Sequence, residues 1–91
     1  MKSFFVSIIT PREVIWEGEA ISLRAPGALG NFGVWANHAP MITGLEGGEI
    51  VIRPADATNS APVRYNVNGG FLQVLDNNVI ALPDKAEKIK I

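Results

Sequence analysis

The sequence predicts an all-β chain, a two-sheet β-sandwich or flattened barrel of about ten short strands. Three observations carry that prediction. Apolar residues alternate with polar ones wherever a period can be read, as strands with one buried face require. Turn-forming residues interrupt the alternation at short intervals, at Pro11-Arg12, Pro26-Gly27, Gly47-Gly48, Gly69-Gly70 and Asp76-Asn77-Asn78. No amphipathic helix of useful length is written before residue 83, so short strands must pack against one another.

Each element follows in order. The segment Met1–Thr10 is apolar but interrupted by Ser7, and it ends at Thr10-Pro11-Arg12 without a small-residue cleavage site. It therefore reads as a first strand rather than a signal peptide. Ile21, Leu23 and Ala25 alternate with Ala20, Ser22 and Arg24. Ile50 and Ile52 alternate with Glu49 and Arg53, with Val51 on the second face. Val63, Tyr65 and Val67 alternate with Arg64, Asn66 and Asn68, and Leu72 and Val74 with Phe71, Gln73 and Leu75. Asp76-Asn77-Asn78 is the clearest hairpin turn, leading into a last strand through Val79–Leu82. Pro54 to Pro62 reads as an exposed, mobile loop between two strands. The domain is expected to span 1–84, leaving 85–91 as a short polar tail. That tail has the look of a helix start, with Asp84 as its cap and lysines near its end. So few residues do not hold a helix alone.

Composition narrows function. Ninety-one residues build one core, and 47% hydrophobic content is ordinary for a folded domain. A net charge of −1 leaves no electrostatic footprint for nucleic acid or an anionic membrane surface. With no cysteine there is no thiolate nucleophile, disulfide or Cys-ligated metal. His38 is the only histidine, and the carboxylates fall mostly at turns or on polar strand faces. No catalytic residues, cofactor or metal site are expected, since hydrolysis or zinc binding needs a denser set of partners. No segment is long enough for a transmembrane helix.

The most specific stretch is Gly27 to Ile50, GALGNFGVWANHAPMITGLEGGEI. Gly27, Gly30 and Gly33 recur every three residues, which suits tight turns and close backbone approach. They do not make a phosphate loop: there is no initial G-x-G, no Gly-Lys-Ser/Thr and no following helix. His38, in His-Ala-Pro, is either a turn residue satisfying nearby backbone or a partner-facing one. Trp35 is expected as a core anchor, with an interface role as the alternative. Trp16 is expected in the core or filling a sheet edge.

The order of these residues resembles the epsilon subunit of F-type ATP synthases, whose first domain carries a G-x-x-G-x-x-G-[VI]-x-x-x-H-A-P core. The likeness extends to Ile15–Ala20, Leu45–Ile52, Asn68–Val79 and Leu82–Glu87. Departures are Ala36-Asn37 for Pro-Gly, Asn68 for Ser, Pro83 for Ala, a longer loop from Pro54 to Pro62, and a neutral Asn31 where an acid is common. The left-handed turn survives in Asn37, because Asn tolerates that backbone.

The resemblance implies a non-catalytic central-stalk subunit that couples proton translocation to ATP synthesis. Its implied partners are the gamma subunit and the ring of c subunits, without lipid insertion or a homo-oligomer. Gly27, Ala28, Leu29, Gly30 and Asn31 would face the c-ring, and Thr10, His38, Met41, Ile42 and Thr43 the gamma subunit. The location implied is peripheral, on the cytoplasmic face of the inner membrane or the stromal face of a thylakoid. Family members continue into a helical hairpin that inhibits ATP hydrolysis, and this sequence stops at Ile91. Neither that inhibition nor an ATP site is therefore expected here. The alternative from another class is a free-standing β-sandwich recognition module.

Overall fold

The computed structural model describes residues 2–55 and 62–89, and these are all strand, turn and loop. Most of the expected loop from Pro54 to Pro62 lies outside the described residues. Among the described residues nine strands form. They are β1 (Phe4–Ile9), β2 (Val14–Gly27), β3 (Gly30–Val34), β4 (Met41–Gly44), β5 (Gly48–Pro54), β6 (Val63–Asn68), β7 (Phe71–Leu75), β8 (Asn78–Leu82) and β9 (Lys85–Lys88).

One hydrogen-bonded path runs β4-β7-β8-β1-β2-β5-β6-β9, with β3 also on β2. The path becomes two layers because β2 belongs to both. Ala20 pairs with Phe4 on one edge and Pro54 on the other, while Leu23 pairs with Val34 and Ile52. Thus β1 and β3 occupy the same edge of β2 in succession, and β5 takes the opposite edge. Fourteen residues would reach about 46 Å at strand spacing, yet the longest extent of the molecule is 31 Å. The strand must bend. It does so beside the register shift between Ala20 and Ser22, where Ile21 is the extra residue. The first layer is therefore β4-β7-β8-β1 with the start of β2. The second is β3, the end of β2, β5, β6 and β9.

This bulge also corrects the alternation read in the sequence. Ala20 is fully buried and Ile21 only half-buried, so the apolar face slips by one residue there. Elsewhere period two holds, except at buried Ser7 and at the end of β2, where Ala25, Pro26 and Gly27 are all buried. Phe4, Val6 and Ile8 of β1, Leu72 and Val74 of β7, and Val79 and Ala81 of β8 meet Leu23, Ile50, Ile52 and Val67 from the second layer in one core. Each such buried aliphatic side chain contributes about 1.5–3 kcal/mol.

The tail is a second correction. Lys85–Lys88 form no helix; they pair antiparallel with β6, Ala86 opposite Val67 and Glu87 opposite Asn66. The unpaired edge of β6 offers backbone partners that an isolated helical turn lacks, and the bond from Ile89 N to Arg64 O (2.9 Å) continues the ladder. Near the other end of the path, Leu45 bridges to Gly27 and donates to Gly70 O at 2.9 Å. Those contacts tie the end of β4 to the end of β2 and give the sandwich its flattened-barrel character.

Candidate partner interfaces

The residues expected to face the c-ring form the β2–β3 hairpin. Gly27 pairs with Gly30 across the two-residue turn Ala28-Leu29, and Gly30 has φ 121°, which favours glycine. Gly27 has ordinary backbone; it is there for close approach, because a Cβ would stand 2.7 Å from the Phe32 ring. Gly27 is itself buried, so only Ala28, Leu29, Gly30 and Asn31 reach the surface. Leu29 is fully exposed, at 104%. The hairpin is braced from below by Ala28 N to Gly44 O (3.1 Å) and Glu46 N to Pro26 O (2.8 Å).

Of the second set, His38, Met41, Ile42 and Thr43 come together along β4 and its approach. Met41 and Thr43 pair with Val74 and Leu72, which point inward, and both are half-buried. Ile42 points out, 71% exposed. His38 places Nδ1 2.7 Å from Ala39 O, so the ring is held by its own turn. Asn37 has φ 65°, the left-handed turn expected of it, and its N–H donates to Asn77 Oδ1 at 2.8 Å. This fixes His38 at the β7–β8 turn.

Thr10 lies elsewhere. It closes the β1–β2 turn, where its N–H donates to Glu13 O at 2.9 Å, and it stands beside Asp84 and Lys85. Because β8 runs parallel to β1, Thr10 is at the Leu82 end of the first layer and His38 at the Asn78 end. The two are separated by roughly the five-residue length of β7 or β8, about 17 Å.

Between them lies a surface that the sequence reading did not single out. Phe71 (62%), Leu82 (47%) and Leu75 (45%) project outward from the first layer with Ile42, and Phe71 pairs directly with Leu82. Half-buried Ile80 and Gln73 fill the row between Ile42 and Ser7. The signal was present in the parity of Phe71 and Leu75 against Leu72 and Val74, since residues at even spacing share a face. A contiguous exposed apolar area of this kind is typical of a protein-binding surface.

The second layer presents a different exterior. Ser22, Arg24, Glu49, Arg53 and Arg64 point outward there, and Arg64 Nη2 and Nε reach Glu49 Oε1 at 2.7 and 3.0 Å. Behind them, burial raises the Tyr65 phenol above its ordinary pKa of 10.0. Trp35 is not the core anchor expected; it is 61% exposed. Trp16 does pack on the core edge, half-buried over Gly18. Among the described residues, no three His, Cys, Asp or Glu side chains gather as metal ligands.

Comparison with known proteins agrees with this architecture. The family described as ATP synthase, Delta/Epsilon chain, beta-sandwich domain matches residues 3–89. The chloroplastic ATP synthase epsilon chain of Tetradesmus obliquus is 40% identical over 85 residues, covering 93% of this chain and 60% of that protein. The ATP synthase epsilon chain of Moorella thermoacetica is 42% identical over 88 residues, covering 97% of this chain and 63% of that one. The chain thus spans about three-fifths of the length of these relatives. The same fold occurs in a mitochondrial ATP synthase of Euglena gracilis, solved with OSCP, F1 and c-ring, at TM-score 0.84 and 19% identity, covering 94% of this chain and 53% of that one. A central stalk/c-ring chain of Tetrahymena thermophila mitochondrial ATP synthase gives TM-score 0.79 and 15% identity, covering 94% and 66%. With its matching profile, its glycine-spaced hairpin and its relatives above 40% identity or at it, this chain belongs to the ATP synthase Delta/Epsilon chain β-sandwich family.

Proposed function

We propose that this domain is part of a non-catalytic rotor subunit of an F-type ATP synthase, joining the gamma subunit to the c-ring. The observation that supports this most is the uncovered apolar exterior of the first layer, running between His38 and Thr10. A partner touching both of those residues covers Phe71, Gln73, Ile80 and Leu82 as well. The β2–β3 hairpin offers a separate, smaller contact through Leu29 and Asn31, suited to the loops of a ring. Such a subunit acts mechanically, peripheral to the membrane, on the cytoplasmic or stromal side.

The test is binding to purified gamma subunit and to a c-ring in detergent. Phe71→Asp with Ile42→Asp should weaken gamma binding by more than about tenfold, since each buried apolar side chain contributes about 1.5–3 kcal/mol. Leu29→Asp should weaken c-ring binding and leave gamma binding intact. If the unaltered, folded chain binds neither, the rotor reading is wrong and a free-standing recognition module takes its place.

A further inference from the structure

Trp35 stands apart from both surfaces, on the exterior of the second layer. Two local departures build its setting. Gly33 lies beneath the indole, where a Cβ would come within 2.7 Å of Cη2 and Cζ3. The extra residue of the β2 bulge, Ile21, is turned half out of the core beside it. Lys2, Ser22, Ala36 and Arg53 complete the lining of a shallow groove of about 460 Å³. Among the described residues no carboxylate lines the groove, and neither Lys2 nor Arg53 makes an ion pair. A large aromatic, well exposed, thus shares one groove with two cations, in a chain whose net charge is −1. Departures from local rules that gather in one place point to function rather than packing.

We propose that this groove docks an acidic segment of a partner protein, one carrying an apolar side chain next to its carboxylates. The apolar group would cover the free face of Trp35, the residue type most enriched at binding hot spots. The carboxylates would take Arg53 and Lys2, with Arg53 able to grip both oxygens of one group. A nucleic acid is disfavoured by the overall negative charge and by the small number of cations, two among the described residues, at the site. The inference stands apart from the rotor reading, because the groove opens on the opposite layer from Ile42 and Phe71.

A random peptide library displayed on phage tests it directly against the immobilised chain. Enriched peptides should pair Asp or Glu with an aromatic or aliphatic residue. Arg53→Glu and Trp35→Ala should each weaken their binding about tenfold or more, with the thermal melting point of each variant confirming its fold. Arg64→Ala, outside the groove, should change nothing. Trp35 emission should shift on adding a selected peptide. No enrichment, peptides without acidic excess, equal capture by the variants, or preferential binding of a single-stranded oligonucleotide at Trp35 overturns the proposal. Loss of gamma or c-ring binding in the separate assay does not bear on it.

Discussion

Asn77 accepts the backbone N–H of Asn37 on its side-chain Oδ1 at 2.8 Å, and both residues hold left-handed backbone, at φ 62° and 65°. The Asn77 amide nitrogen donates at the same time to Ser3 O, also 2.8 Å. One side chain therefore joins the β7–β8 turn, the approach to β4 and the start of β1. Asn77→Gly keeps the turn conformation and loses both bonds, for about 1–3 kcal/mol. Asn77→Ala should cost about 1 kcal/mol more, because a Cβ residue is disfavoured at positive φ. Urea unfolding measures the difference, and hydrogen exchange at the Asn37 amide should accelerate in both variants.

Glycine substitutions should separate sharply by what lies above them. Gly70 has φ 91°, and a Cβ there runs into the Leu82 carbonyl oxygen and stands 2.6 Å from Pro83 Cα. Backbone cannot step aside in a paired strand, so Gly70→Ala should cost more than about 3 kcal/mol or prevent folding. Gly33→Ala meets only the movable Trp35 ring. It should cost under about 1 kcal/mol, while displacing the indole and altering its emission spectrum.

Tyr65 sets an alkaline limit on stability. Its folded-state pKa lies above the 10.0 of the exposed phenol because burial disfavours the phenolate. The unfolded chain therefore loses its proton first as pH rises past 10, and stability declines from there through the raised folded pKa. Below that window the contribution is fully present. Tyr65→Phe should flatten this part of the stability curve in a series of denaturant melts between neutral and strongly alkaline pH.

The Arg64–Glu49 pair should contribute little. Both oxygen contacts use Glu49 Oε1 alone, and the two side chains are 38% and 39% exposed. Arg64→Ala is expected to cost less than about 1 kcal/mol and to become neutral in high salt. A double-mutant cycle with Glu49→Ala, run at low and high ionic strength, isolates the pair energy.

Strands β6 and β7 were legible from their alternation, and β5 and β8 from short apolar runs set off by turn residues with a physical reason to be there, such as Asn77 at positive φ. Lys85–Lys88 were not, since three charged residues and Ala86 carry no strand pattern; the free edge of β6 makes them one. The bend in β2 was equally silent, because nothing in Ala20-Ile21-Ser22 marks Ile21 as the residue left over in pairing. The hairpin tip and the His38 turn came from spaced glycines and Asn37. The apolar exterior did not, since Phe71 and Leu75 were read for their period and not for the side they face. Trp35 was misplaced for a simpler reason: size and hydrophobicity suggest a core, and only Gly33 beneath the ring shows otherwise.

Sharing β2 has a mechanical consequence. Two sheets held together only by side chains can slide past one another under load, whereas here the covalent backbone of one strand runs through both. A sideways force on Phe71 in one layer reaches Arg53 in the other through peptide bonds and ladder hydrogen bonds, with no slip plane across β2. The domain is suited to carry twisting load as a single block.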